Sequence, residues 1–333
     1  MHEKQGGILL NQTKTSHCCS MSRNDIIEVK NDSELIKEDL NESSVPNIKE
    51  GFLGKKVYIP GGSFFMGTKD KEGYPEDGEG PVRKVTVDSF HMDAHTVTNA
   101  EFKEFVQSTG YITDAERFGW SFVFYQLVSE KTKRKVKQVA QQTPWWLVVQ
   151  GASWKHPEGL DSNIENRLEH PVVHVSWNDC QAYCEWAGKR LPTEAEWEFA
   201  ARGGLEHKKF PWGDELNEHL CNVWQGEFPK TNTEEDGYIG TAPVSSFPAN
   251  GYGLYNMVGN VWEWCLDWFA KSVRDRGGRT NPQGPKTGES RVMRGGSYLC
   301  HASYCNRYRV AARSRNTPNS SSGNIGFRCV TDV

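Results

Sequence analysis

Lys189-Arg190-Leu191-Pro192-Thr193-Glu194-Ala195-Glu196-Trp197-Glu198 spells out the start of a helix. Thr193 is an N-cap residue. Glu196, three positions on, completes a capping box in which each side chain bonds the other's backbone amide. Trp197, Ala200 and Ala201 then fall at helical spacing, and Gly203-Gly204 lies beyond them. The same signal occurs twice upstream. Thr98-Asn99-Ala100-Glu101 precedes Phe102, Phe105 and Val106, with Gly110 as the stop. Ser176-Trp177-Asn178-Asp179 uses Asp in place of Glu, leads into Ala182, Tyr183, Trp186 and Ala187, and stops at Gly188. Three short helices are expected.

Around them the chain reads as short strands and turns. Lys56–Pro60 is a strand running into Gly61-Gly62, Ser63–Met66 is the next, and Val82–Phe90 is a third with Val85, Val87 and Phe90 apolar. Arg117–His170 has no clear period and is expected to be irregular. It carries a basic run (Lys131, Lys133, Arg134, Lys135 and Lys137), expected to be a solvated face. From Asn222 onward, short strands and Gly/Pro/Asn turns dominate. Residues 1–51 are polar, poor in aromatics and without period, and read as a flexible tail in which Ile26–Leu40 could form a transient helix. The reading is one α+β domain over 52–333, low in regular secondary structure.

Composition sets limits. The 333 residues include 12 Trp and 32 Gly, so the core is aromatic and the chain rich in turns. The Trp residues at 177, 186, 197, 212, 224, 262, 264 and 268 read as core. A formal net charge of −4 argues against a dedicated nucleic-acid or anionic-membrane binder. No apolar run approaches a membrane span, and Met1–Leu10 lacks a signal-peptide core, so the expected location is the cytoplasm, with secretion or the ER lumen only if the N-terminus is incomplete. Nine cysteines, an odd number, fit metal or redox chemistry better than a full disulfide framework.

Arg294-Gly-Gly-Ser297-Tyr-Leu-Cys300-His-Ala-Ser-Tyr304-Cys305 is the strongest chemical candidate. Two Cys five apart either reach one soft metal ion or close a small disulfide, and the residues alone leave both open. Thiolates select Cu(I), zinc or iron–sulfur clusters. Zinc would want a second short-spaced Cys or His pair, which is missing. His301, Arg307 and Arg309 nearby would favour thiolates. Asn222 and Asp236, and Asn260 with Glu263, offer hard oxygens of the kind Ca²⁺ takes, although Asn and Asp are also ordinary turn residues.

Gly61–Gly67, His174–Asp179, Lys189–Glu198, Phe210–Gly213, Gly259-Asn260-Val-Trp262-Glu263-Trp264, Arg294–Ser297 and Gly326–Arg328 occur in that order. Together they resemble the sulfatase-modifying-factor family over about residues 55–330. That resemblance implies a variant C-type-lectin-like fold. The segment Gly295–Arg309, with Ala311–Ser321 after it, is similar to the active, formylglycine-generating members, whereas a silent paralogue lacks the Cys pair.

The resemblance implies an oxidase that turns the cysteine of a Cys-x-Pro-x-Arg motif in an unfolded or nascent sulfatase into formylglycine, using O₂ and a thiol reductant. It implies Cu(I) on Cys300 and Cys305, with the substrate thiolate joining it. It places Ser297 and Tyr304 at the reacting atoms, and Arg307 and Asn324 along the substrate cleft. It implies structural Ca²⁺ at Asn222, Val223, Asp236 and Tyr238, and a second ion at Asn260 and Glu263. Of two disulfides found in secreted animal members, one corresponds to Cys184 and Cys329, and the other falls on Ala201 and Val310 and is absent. Cys180, Cys221 and Cys265 match nothing catalytic and read as core thiols. A monomer is expected. The alternative on the same fold is a non-catalytic peptide-binding module.

Overall fold

The three capping boxes are present, and they set the helices. The computed structural model describes residues 21–28 and 54–333. Thr98, Ser176 and Thr193 each accept from the backbone amide three residues on, while Glu101, Asp179 and Glu196 reach back to the cap. The chain has five helices among these residues: α1 Asn99–Thr109, α2 Asp114–Phe118, α3 Glu130–Lys133, α4 Trp177–Trp186 and α5 Glu194–Ala201. Gly110 ends α1 in the left-handed conformation. The second helix was legible but missed, since Thr113 and Glu116 form a fourth capping box.

Short strands make up the rest. Ser314–Asn316, Arg291–Arg294, Trp262–Trp268 and Ile325–Gly326 form a four-stranded sheet in that order, parallel only at its last pair. Val330–Asp332, Phe90–Asp93 and Lys56–Ile59 form a second sheet, and Gly62–Met66 pairs with Arg83–Val87. The expected strand Val82–Phe90 is thus two strands, broken at Asp88-Ser89, and each half joins a different sheet. No helix among the described residues is long and apolar enough to cross a membrane.

Arg117–His170 is a correction. The stretch contains Trp120–Phe124, Gln138–Ala140 and Trp146–Gln150, which form an antiparallel sheet. Trp120–Phe124 shows no alternation because both its faces are buried. Phe122 and Phe124 enter one apolar cluster with Trp146 and Trp224, and Val123 enters another with Val128 and Val149. The basic run behaves as expected, with Lys131, Arg134, Lys135 and Lys137 exposed.

The expected tail is also not uniform. Ile26–Glu28 is a strand on the edge of that same sheet, paired with Gln138–Ala140, so the expected transient helix does not begin there; residues 29–40 lie outside the described residues. Met21 is buried beside Trp224 and Tyr298. The Arg23 side chain donates to Asn319 O at 2.9 Å, Trp120 O at 3.1 Å and Ser321 Oγ at 2.9 Å, and its guanidinium lies over Phe118 and Trp120. One arginine therefore ties residues 21–28 to the C-terminal segment and to the sheet.

The main core gathers around α5 and the strand Trp262–Trp268. Trp197, Trp262 and Trp264 are fully buried there, as are Cys180 and Cys265. Burial pushes both thiols well above the ordinary cysteine range, as it does Cys221, in line with core thiols. Cys184 and Cys329 are free thiols with their sulfurs 3.6 Å apart. Glu194 and Glu198 are buried in an ion-pair network. Arg294, fully buried, donates to Glu194 at 2.9 Å and to Glu198 at 2.5 Å; Arg202 holds Glu198 at 2.6 Å, and Arg313 pairs with Glu194.

Candidate active site

The strand Arg291–Arg294 ends in Gly295 and Gly296, both at positive φ. A β-carbon on Gly296 would lie 2.9 Å from Arg307 O and from Tyr308 Cα, so only glycine lets the two chains approach. This turn delivers Ser297. Ser297 O accepts from Cys300 N at 2.9 Å, and Ser297 N lies 3.4 Å from Cys300 Sγ. The chain then curls back at His301, whose carbonyl accepts from the amides of Tyr304, Cys305 and Asn306 at 2.9–3.0 Å. That curl brings Cys305 Sγ to 3.1 Å from Cys300 Sγ, with both residues fully buried. A disulfide would need about 2.05 Å, so these are two thiols not joined by a disulfide, with Cys300 Sγ donating to Cys305 Sγ.

Asn324 joins them from the far end of the chain. Its Nδ2 donates to Ser297 Oγ at 3.0 Å, and its Oδ1 accepts from Ser322 Oγ at 2.7 Å. Of the six residues expected to act on substrate, five are buried and Tyr304 is half-buried. The Tyr304 ring stacks on Phe228 with centroids 4.1 Å apart and meets the Trp145 edge at 5.2 Å. Neither aromatic partner was singled out from sequence for this role.

Arg307 is packed against the 72–79 segment. Its Nε bonds Asp77 at 2.5 Å, its guanidinium lies 4.0 Å over the Tyr74 ring, and the residue is buried. Arg309 forms a two-pronged pair with Glu79 at 2.6 and 2.7 Å. Both cations therefore face carboxylates of the 72–79 segment rather than an open cleft, and partial burial lowers the His301 pKa. The 72–79 segment is a wall of the site that no sequence signal marked: Tyr74 donates to Tyr304 O at 2.7 Å, and Asn306 donates to Glu72 O at 3.3 Å.

The first expected cation set is brought together. Burial raises the Asp236 pKa to about 6, against the pull of the Tyr238 and Val223 backbone amides on its carboxylate. Asn222 donates to Gly240 O at 2.8 Å and to Asn260 Oδ1 at 3.3 Å. Asn222 Oδ1 and Asp236 Oδ2 are both buried oxygens with no hydrogen-bond partner. Gly259, at positive φ, is where this pocket closes, because a β-carbon there would overlap Asn222 O. The second set is organised otherwise. Asn260 faces Asn222 and Ala242, while Glu263 is held by Arg328 at 2.6 and 2.7 Å and by Trp197 Nε1 at 2.7 Å. Glu263 thus accepts three charge-assisted bonds, two of them from Arg328, inside the core. Arg328 also donates to Tyr255 O, and the neighbouring Asn256 keeps a buried, unpartnered Oδ1. No cluster of three or more His, Cys, Asp or Glu fit to hold a metal occurs among the described residues.

The oxygen pocket braces the thiol loop. Asn260 O accepts from Tyr298 N at 2.9 Å, and Trp224, two residues after Asn222, donates to Cys300 O at 3.1 Å.

Known proteins agree with this architecture. A family model described as "Sulfatase-modifying factor enzyme 1-like domain" matches residues 43–333. The formylglycine-generating enzyme of Bos taurus is 58% identical over 293 residues, covering 87% of this chain and 78% of that protein. The inactive C-alpha-formylglycine-generating enzyme 2 of the same species is 50% identical over 278 residues, covering 83% and 85%. Among solved structures, PvdO from Pseudomonas aeruginosa superposes with a TM-score of 0.62 at 25% identity, covering 85% of this chain and 96% of that one. Motif order, fold and similarity along nearly the whole described length converge, and the chain belongs to the sulfatase-modifying-factor family.

Proposed function

We propose that this protein oxidises a cysteine of a sulfatase polypeptide to formylglycine, with Cys300 and Cys305 jointly holding one Cu(I) ion. The observation that carries this is the pair of buried sulfurs 3.1 Å apart, not joined by a disulfide, beside Ser297 and Asn324. The donor set fits the ion: two soft thiols with no carboxylate or imidazole completing a harder site. When bound, the ion supplies a soft seat for a substrate thiolate and a route for electrons to O₂.

The residues do the remainder. Ser297 Oγ accepts from Asn324 Nδ2, and Leu299 N lies 3.4 Å away, so its own hydrogen is left to donate to a substrate sulfur or oxygen. Asn324, itself fixed by Ser322, sets that orientation. Tyr304, gripped by Phe228 and Trp145, is the one residue of the set that is only half-buried. The net change takes a CH₂SH side chain, one O₂ and two thiols, and yields an aldehyde, H₂S, a disulfide and water. Mass spectrometry of a Cys-x-Pro-x-Arg peptide with copper-loaded protein, O₂ and a thiol reductant is expected to show a loss of about 18 Da. An unchanged mass with copper bound overturns the reading.

We also infer a structural Ca²⁺ at Asn222 and Asp236, with Val223 and Tyr238 alongside. The two orphaned buried oxygens are what a hard cation would satisfy. Adding Ca²⁺ after chelation is expected to raise the melting temperature by about 4 °C or more, and Asp236→Asn to abolish that shift. Identical melting curves with chelator and with Ca²⁺ would exclude the site.

A further inference from the structure

The aromatic grip on Tyr304 continues into an apolar groove. Tyr125, Lys133, Val139, Trp145, Leu147 and Pro229 line a volume of about 480 Å³ open to solvent. One of its walls, Trp145, also packs on Tyr304 of the candidate active site, and a second, Pro229, adjoins Phe228, which does the same. Trp145 meets the Tyr304 ring at 5.2 Å, and Pro229 follows Phe228, which stacks on Tyr304 at 4.1 Å. Pro229 is held in place, since its carbonyl accepts from Tyr125 OH at 3.0 Å and from Gln126 Nε2 at 2.9 Å. The groove is therefore a shallow apolar surface that adjoins the candidate active site through Trp145.

Its charge is one-sided. Residues 130–137 hold five cations against one acid, and Lys133 itself lines the groove. Glu130 pairs with Lys133 at 2.7 Å but is largely exposed, so it offsets little. Ser129 and Thr132 bond Asp161 at 2.5 and 2.9 Å, which gives the basic run a fixed footing. Lys131, Arg134, Lys135 and Lys137 remain exposed around it.

We propose that this groove seats the stretch of the sulfatase polypeptide flanking the reacting cysteine, and that it selects flanks pairing an apolar residue with acidic ones. An apolar side chain gains by burial against Trp145, Leu147 and Val139, and acidic neighbours gain from the basic rim. This rests on the reading of Cys300 and Cys305 as the reaction centre.

The test uses full-length protein and three peptides. One carries Cys-x-Pro-x-Arg with short neutral ends; the others add an apolar–acidic or an apolar–basic flank on both sides. The acidic flank is expected to exceed the basic one by about tenfold in kcat/KM, through KM, with the gap closing at high salt. Lys133→Glu with Lys135→Glu is expected to reverse the order. Equal values for the two flanks, or a preference that survives charge reversal, overturns the proposal. If charge reversal shifts KM alike for all three peptides, the occupant is the chain's own residues 29–53, which hold six acidic residues against three lysines, and the proposal falls. If no peptide reacts, the reaction assignment fails, and fluorescence anisotropy of the labelled flanked peptides still decides the groove.

Discussion

Replacing Cys300 or Cys305 by serine is expected to lower kcat on a Cys-x-Pro-x-Arg peptide by about 10³-fold or more while the protein stays folded. A hydroxyl is a hard donor that keeps its proton at neutral pH, so one serine removes a soft ligand outright. The fold should survive because the exchange is nearly isosteric and the new hydroxyl has a partner at hand: Ser297 N already points at the Cys300 sulfur from 3.4 Å. Both thiols serve one ion in this reading, so the double variant should be no worse than either single one. Residues that act as a unit are strongly non-additive. Copper binding by the same variants should fall in parallel, and a single variant that keeps full turnover would end the assignment.

The second large effect concerns stability. Arg294→Met is expected to cost about 3–5 kcal/mol, read by urea or thermal denaturation, because it strands charge rather than merely losing contacts. Arg294 is fully buried, joins Glu194 to Glu198, and donates to Val310 O at 2.8 Å. Removal leaves each carboxylate with a single arginine. The pH dependence identifies the cause. Burial alone would raise Glu194, but Arg313 and Arg294 override it and hold its pKa at about 2, below the unfolded value. Its contribution is therefore present above about pH 4.5 and is lost as pH falls toward 2. In Arg294→Met that acid limb should flatten, since Glu194 moves back toward its ordinary value. Asp267 titrates the other way. Burial, with the charge of Glu194 beside it, lifts its pKa to about 7, so its contribution is lost as pH rises from about 4 to 7. A steep acid limb unchanged in the variant would show that Glu194 is not held by Arg294. The strand that carries Arg294 runs directly into Gly295–Ser297, so the same substitution should also loosen the thiol loop.

Much of this molecule is legible in its sequence where the interaction is local. A capping box joins residues three apart, and the boxes at Thr98, Ser176 and Thr193 each gave a helix in the expected place. The Gly295-Gly296 turn and the curl at His301 are likewise short-range, which is why Cys300 and Cys305 could be paired from their spacing, with Ser297 added by the family resemblance. The oxygen pair at Asn222 and Asp236 was also within reach, since one loop carries both.

What required the tertiary structure lies across long stretches of chain. Trp120–Phe124 hid its strand because two separate cores bury its two faces, and that erases the alternation that marks a half-buried strand. Glu194 and Glu198 are buried on their helix because arginines about a hundred residues away pack against them. The ion pairs of Glu263 with Arg328 and of Arg307 with Asp77 likewise join residues that lie far apart in the chain. The sequence by itself determined the helices, the turns and the thiol pair, because backbone capping and chain stiffness act over a few residues. Which charges meet, which faces are buried and what walls the thiols was decided only by the packed chain, because pairing and desolvation depend on neighbours that sequence distance does not measure.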